Sequence, residues 1–188
     1  MPTELLRALA GVIGDEEFAR AMERFALSFP SYGDRLPTIA HAYSRTRLAI
    51  VPQYEIVAMK WSPKSTSPIH DHGASRCWVL MLDGELSVQN FVCNPDAPLS
   101  DPVALRQTEH LALRRGHIDH RLGPSELHRV HNPSDSQSAY SLQLYARPLT
   151  TYSIVDLHSG QRRMAKATYD LDLTRDTVAA GPPSRPHR

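Results

Sequence analysis

The chain has 188 residues, 21 lysines and arginines against 20 aspartates and glutamates, and 41% hydrophobic residues, the profile of one soluble globular domain with a buried core. A formal net charge of +1 excludes a general electrostatic attraction to nucleic acid or anionic membrane, and 7% aromatic residues leaves few stacking platforms for single strands. No apolar run approaches the ~20 residues of a membrane span. The N-terminal apolar stretch is broken by Glu4 and Arg7 and has no secretory cleavage pattern, so a cytoplasmic protein with no membrane or nucleic-acid partner is expected.

Residues 1–40 read as a helical segment. Thr3 can cap a helix running to about Ile13, and Asp15-Glu16-Glu17 opens a second with Phe18, Met22 and Phe25 at helical spacing, before Pro30 and Gly33 end it. From Arg45 the period shortens, and the 15 prolines of the chain divide it into short segments. Strands are predicted near 46–51, 54–61, 68–72, 77–82, 85–92, 109–114, 117–121, 127–131, 138–146 and 151–157. So many short strands imply a mainly β sandwich or barrel over about 45–160. One domain is expected to span 1–175, followed by a flexible proline-rich tail over 176–188.

Asp83-Gly84 is the preferred dipeptide of a two-residue hairpin turn, predicting that the flanking runs pair with each other. That register sets Cys77 opposite Asn90, three residues short of Cys93, so the two cysteines are expected to stay unbonded.

His70-Asp71-His72 falls in a predicted strand, where alternation sends both imidazoles to one face and Asp71 to the other. Two histidines so placed can share a metal, and His128 on a later strand suggests a third ligand. Three histidines leave coordination positions open, as a reactive metal requires. The remaining histidines considered, at 110, 117, 120, 131 and 158, are read as surface residues. The run from Pro68 through His72 and Cys77 to Gly84 has the spacing of the first cupin motif, with Cys77 where many cupins have glutamate and Lys64 where a glycine is usual. His128 and Asn132 match the end of the second motif.

Ser141, Gln143 and Tyr145 alternate with Leu142 and Leu144, so the polar three share one face of a strand, where they are costly unless they serve a cavity. Arg45 and Arg47 share a strand parity that cannot separate them.

Over roughly residues 35–150 the chain resembles the cysteine dioxygenases, mononuclear non-haem iron enzymes of the cupin superfamily. The resemblance rests on Tyr43-Ser44-Arg45, Ile69-His70-Asp71-His72 with Cys77 five residues on, Leu127-His128-Arg129-Val130, and Ser141-Leu142-Gln143-Leu144-Tyr145. It implies a cupin β-barrel or jelly roll, Fe(II) held by His70, His72 and His128, substrate binding by Arg45 and Tyr43 with Arg45 on the carboxylate, and a thioether between Cys77 and Tyr145. It further implies catalytic parts for Tyr145, Cys77, Ser141 and Gln143, although the family usually has histidine where this chain has Gln143.

The implied activity is oxidation of L-cysteine by O₂ to cysteine sulfinic acid, in a monomer or small homo-oligomer. Neutral ligands leave the metal its full charge and so favour a substrate thiolate and amine, while a buried carboxylate needs a guanidinium. The alternatives are another carboxylated thiol, 3-mercaptopropionate or mercaptosuccinate; a non-catalytic cupin that binds a metal or small ligand; and a zinc or nickel cupin isomerase. Relatives that use mercaptopropionate generally lack the arginine and the crosslinking cysteine, so Arg45 and Cys77 favour cysteine. An isomerase would normally keep the carboxylate ligand that Cys77 replaces.

Overall fold

The computed structural model describes Arg20 and residues 36–174, apart from positions 95, 99, 122, 124 and 125. The expected helices of the first 35 residues, Arg20 aside, and the tail over 176–188 lie outside the described residues. Twelve strands are described: β1 (Tyr43–Val51), β2 (Tyr54–Trp61), β3 (Ile69–His70), β4 (Arg76–Asp83), β5 (Glu85–Val92), β6 (Arg106–Arg114), β7 (Ile118–Arg121), β8 (Glu126–His131), β9 (Ala139–Ala146), β10 (Thr151–Val155), β11 (Arg162–Lys166) and β12 (Leu171–Asp172). They form two six-stranded sheets, one in the order β12-β1-β2-β9-β4-β7 and the other β11-β10-β3-β8-β5-β6. This is the mainly β sandwich or barrel that the close strand spacing predicts, of the cupin type that the resemblance implies.

Alternation along the strands sorts side chains between layers. Val57, Met59, Trp61, Val79, Met81 and Tyr145 of the first sheet meet Leu86, Val88, Leu113 and Val130 of the second in one interior cluster. The first sheet is also buried on its other face, where Leu48, Ile56, Ala58, Trp78, Leu80, Leu142 and Leu144 pack together. Burial on both faces explains the unbroken apolar run Trp78-Val79-Leu80-Met81-Leu82.

The Asp83-Gly84 expectation is corrected. β4 pairs with β7 and β9, whereas β5 pairs with β6 and β8, so the chain crosses from one sheet to the other at Gly84 instead of folding back on itself. Gly84 has φ +76°, and a Cβ there would lie 3.0 Å from Ala139 Cα, so this corner needs glycine. Cys77 therefore stands opposite Tyr145 and Arg121, not Asn90. Both cysteines are free, as expected, with Cys77 on β4 of one sheet and Cys93 just past the end of β5 of the other. Two strands, β11 and β12, extend the sheets beyond those predicted. Lys64, at the position where a glycine is usual, has φ +60° and takes the left-handed conformation itself.

Candidate active site

β3 is shorter than predicted and ends at His70, so strand alternation does not place His72. Asp71 does. Its Oδ1 accepts the backbone N–H groups of Gly73 and Ser153, both at 2.8 Å, which anchors it towards β10 and turns His72 inward. Gly73 completes this turn with φ +56°, where a Cβ would come within 2.6 Å of Thr151 O. His128 is fixed on β8 by direct pairing with His70.

One potential ligand atom from each of His70, His72 and His128 lies within 4.8 Å of the others, the sole such group among the described residues. Their rings stand 4.6–5.2 Å apart between centroids. Both nitrogens of His72 and Nδ1 of His128 are buried without a hydrogen-bond partner. Buried imidazole nitrogens are rarely left so, and a metal ion satisfies them. His70 Nδ1 lies 3.0 Å from Pro68 O, a contact that holds the ring and leaves Nε2 for a ligand bond. Burial holds the His70 pKa below its ordinary value, and burial together with the neighbouring imidazole of His70 holds His72 and His128 well below theirs. The neutral form is the one that ligates. The five competing histidines stand apart: those at 110, 117, 120 and 158 are exposed, and His131 is half-buried with Nδ1 3.2 Å from Ser65 O.

The opposite sheet supplies the other wall. A narrow cavity is lined by Tyr43, Arg45, Met59, Trp61, Gln143 and Tyr145 from β1, β2 and β9, with His70 and His128 across from them. Cys77 and Tyr145 are fully or almost fully buried register partners, and the Tyr145 ring lies 5.6 Å from that of His72. Burial pushes the Cys77 thiol up, with Asp119 adding to the effect and Arg45 opposing it. Burial and then Cys77 raise Tyr145 well above a tyrosine's usual value, so its hydroxyl keeps its proton. That hydroxyl donates to Gln143 Oε1, while Ser141 Oγ accepts the Trp61 indole N–H at 3.0 Å. The polar face expected on β9 is thus present and buried. Gln143 holds the tyrosine, and Ser141 is engaged by a tryptophan that the sequence did not single out.

The two arginines separate clearly. Arg47 is committed to Glu55 at 2.8 Å and Asp172 at 3.0 Å. Arg45 lines the cavity, with Nε and Nη2 buried and unpartnered. Burial works against its charge, but Tyr145, Tyr169, Tyr152 and Tyr43 outweigh that, and its pKa stays above the ordinary guanidinium value. Sequence reasoning missed Tyr152, whose ring is 5.8 Å from His70, and Glu55, a fully buried carboxylate that directly precedes the apolar run Ile56–Met59. A lone acid beside such a run is a signal that could have been read.

Two facing sheets with three inward histidines define a cupin whose interior is fitted to hold a metal ion. The sequence profile described as cysteine dioxygenase type I matches residues 33–157, and the chain belongs to that family. Cysteine dioxygenase type 1 of Homo sapiens is 29% identical over 117 residues, covering 62% of this chain and 56% of that protein. The Danio rerio protein of the same name is 30% identical over 118 residues, covering 62% and 57%. The chain spans a little over half the length of these curated relatives. Among solved structures, a conserved Klebsiella pneumoniae protein with a double-stranded β-helix domain aligns with a TM-score of 0.46 at 12% identity, over 72% of this chain and 92% of its own.

Proposed function

We propose that the protein is an Fe(II)-dependent dioxygenase of small carboxylated thiols, with L-cysteine as substrate and cysteine sulfinic acid as product. The carrying observation is the Arg45 guanidinium, whose buried Nε and Nη2 have no partner and which opens into the same cavity as His70 and His128. Leaving such donors unsatisfied is expensive, and a substrate carboxylate received in paired, charge-assisted bonds removes that cost. His70, His72 and His128 hold the iron, which when bound supplies the redox chemistry that joins both atoms of O₂ to a thiol sulfur. Arg45 orients the substrate by its carboxylate, with Tyr43 beside it. Tyr145 stays protonated and donates that one proton to Gln143 Oε1, so its oxygen is fixed at the cavity wall and free to accept a hydrogen bond, as from the substrate amine. The register pairing of Cys77 with Tyr145 supports a thioether between them, and Ser141 is held at the far end of the same polar face by Trp61.

Gln143 favours keeping a second reading, in which the carboxylated thiol is 3-mercaptopropionate or mercaptosuccinate. The test is oxygen uptake by iron-loaded protein with L-cysteine, 3-mercaptopropionate, mercaptosuccinate and cysteamine, alongside metal analysis. Cysteine is expected to turn over fastest, with one O₂ consumed per sulfinate formed. Faster turnover of either other carboxylated thiol transfers the substrate assignment, and stoichiometric iron with no uptake on any thiol leaves a non-catalytic metal-binding cupin.

A further inference from the structure

We propose that Tyr169, on the segment that leads into β12, is the positioning residue for the Arg45 guanidinium and through it sets the preference for a carboxylate on the thiol. This rests on the reading that Arg45 receives that carboxylate. Tyr169 lies beyond the residues matched by the family profile.

A guanidinium that must bind a ligand faces a conflict. Its side chain is long and entropically free, yet any protein acceptor that pinned its N–H groups would compete with the ligand. Arg45 meets this conflict in an unusual way, because Nε and Nη2 are buried with no acceptor. Its Cζ instead sits 5.1 Å from the centroid of the Tyr169 ring. A ring face attracts the cation without consuming a hydrogen bond, so the fork is held and its donors remain available.

The ring itself is immobilised. Its hydroxyl donates to Glu55 Oε1, which also accepts Arg47 Nε at 2.8 Å, while Glu55 Oε2 accepts the Leu149 N–H at 3.0 Å. The Arg47 guanidinium packs over the same ring at 3.8 Å. The backbone of Arg45 is clasped from the same segment: its N–H donates to Asp170 Oδ2 at 2.8 Å, and its carbonyl accepts the Asp170 N–H at 2.9 Å. β12 then runs parallel to β1, with Thr46 opposite Leu171 and Arg47 opposite Asp172. Main chain and side chain of Arg45 are thus set by two adjacent residues on one strap, and that strap is anchored on a buried carboxylate.

The experiment compares L-cysteine with cysteamine, which has the amine and thiol but no carboxylate. KM, kcat and anaerobic Kd are measured on iron-loaded wild type, Tyr169→Leu, Tyr169→Phe and Arg45→Ala. Tyr169→Leu removes the ring and is expected to raise KM and Kd for cysteine roughly two- to thirtyfold, with kcat and the cysteamine values little changed. Tyr169→Phe keeps the ring and should keep the cysteine-to-cysteamine ratio. Pentafluorophenylalanine at 169, of nearly the same shape but without the negative ring face, should behave like leucine and keeps the proposal falsifiable if the leucine variant does not fold. Equal losses on both thiols, or an unchanged ratio while Arg45→Ala abolishes it, overturn the role of Tyr169 and leave the dioxygenase reading standing. An unchanged ratio in Arg45→Ala overturns the carboxylate contact and this inference with it.

Discussion

Cys77 on β4 and Tyr145 on β9 face each other across an antiparallel ladder, and both side chains point into the interior cluster between the sheets. Adjacency of a thiol and a phenol ring beside an oxidising metal centre makes a thioether the expected product of repeated turnover. Intact mass of the aerobically cycled, iron-loaded protein should fall by the mass of two hydrogens, and denaturing gels should resolve two bands. Cys77→Ser should give one band and retain reduced activity, because the bond fixes a tyrosine that Gln143 already holds. A single band and unchanged mass in the cycled wild type would count against the bond.

The orphaned nitrogens of His72 and His128 imply that the metal contributes to holding the interior together. Alanine at 70, 72 or 128 should each reduce iron occupancy to less than about a tenth, since two imidazoles alone make a poor site. Metal analysis after gel filtration reads this directly, and full occupancy in any one variant would remove that histidine from the ligand set.

Arg45 and Arg47 should fail in different ways. Arg45→Ala is expected to raise KM for L-cysteine about ten- to a hundredfold, the loss of a charge-assisted contact worth about 1.5–3 kcal/mol, with little change in melting temperature. Arg47→Ala leaves Glu55 buried with one partner fewer and should cost about 1–3 kcal/mol of stability, while lowering thiol discrimination far less than Arg45→Ala because Tyr169 keeps its own bond to Glu55. Urea unfolding beside the kinetics separates the two, and a larger discrimination effect from Arg47 would reverse the assignment.

Metal-free protein should weaken in mild acid. Folding lowers the pKa of His70, His72 and His128, so below about 6.5 the unfolded chain takes up protons that the folded one refuses. Stability from this source is complete above that pH and is lost as pH falls towards the folded-state values, by up to about 1.4 kcal/mol per pH unit for each histidine. Thermal melts between pH 7.5 and 5 should show the decline, and His128→Gln should make it shallower. A flat profile for the metal-free wild type would contradict the buried, neutral state of the cluster.

Most strands were legible because burial leaves a period of two, and the histidines were legible because a metal restricts the residue types that can serve it. What escaped was set by distant partners. Asp83-Gly84 signals a tight change of direction, and it makes one, but no local dipeptide states which strand each arm will join. β11, Arg162-Arg163-Met164-Ala165-Lys166, has no alternating apolar pattern and no buried residue, and its pairing comes from β10. Arg45 and Arg47 share a parity, and only the placement of Glu55 and Asp172 commits one and frees the other. The inward aim of His72 came from the carboxylate of Asp71 and not from the strand that alternation suggested.

His70 and His128 belong to the sheet that carries β3 and β8, with His72 on the turn just after β3, whereas Arg45, Cys77, Gln143 and Tyr145 belong to the sheet that carries β1, β4 and β9. On the proposed function, inheritance can therefore act on the two halves separately: substitutions in one sheet would retune which thiol is accepted while the other preserves metal retention. The two halves remain joined through the thickness of the layer between them. Val79, Val88 and Val130 pack in the layer between the sheets and act as spacers, so adding or removing a methyl group there would shift the distance between the histidine cluster and Arg45.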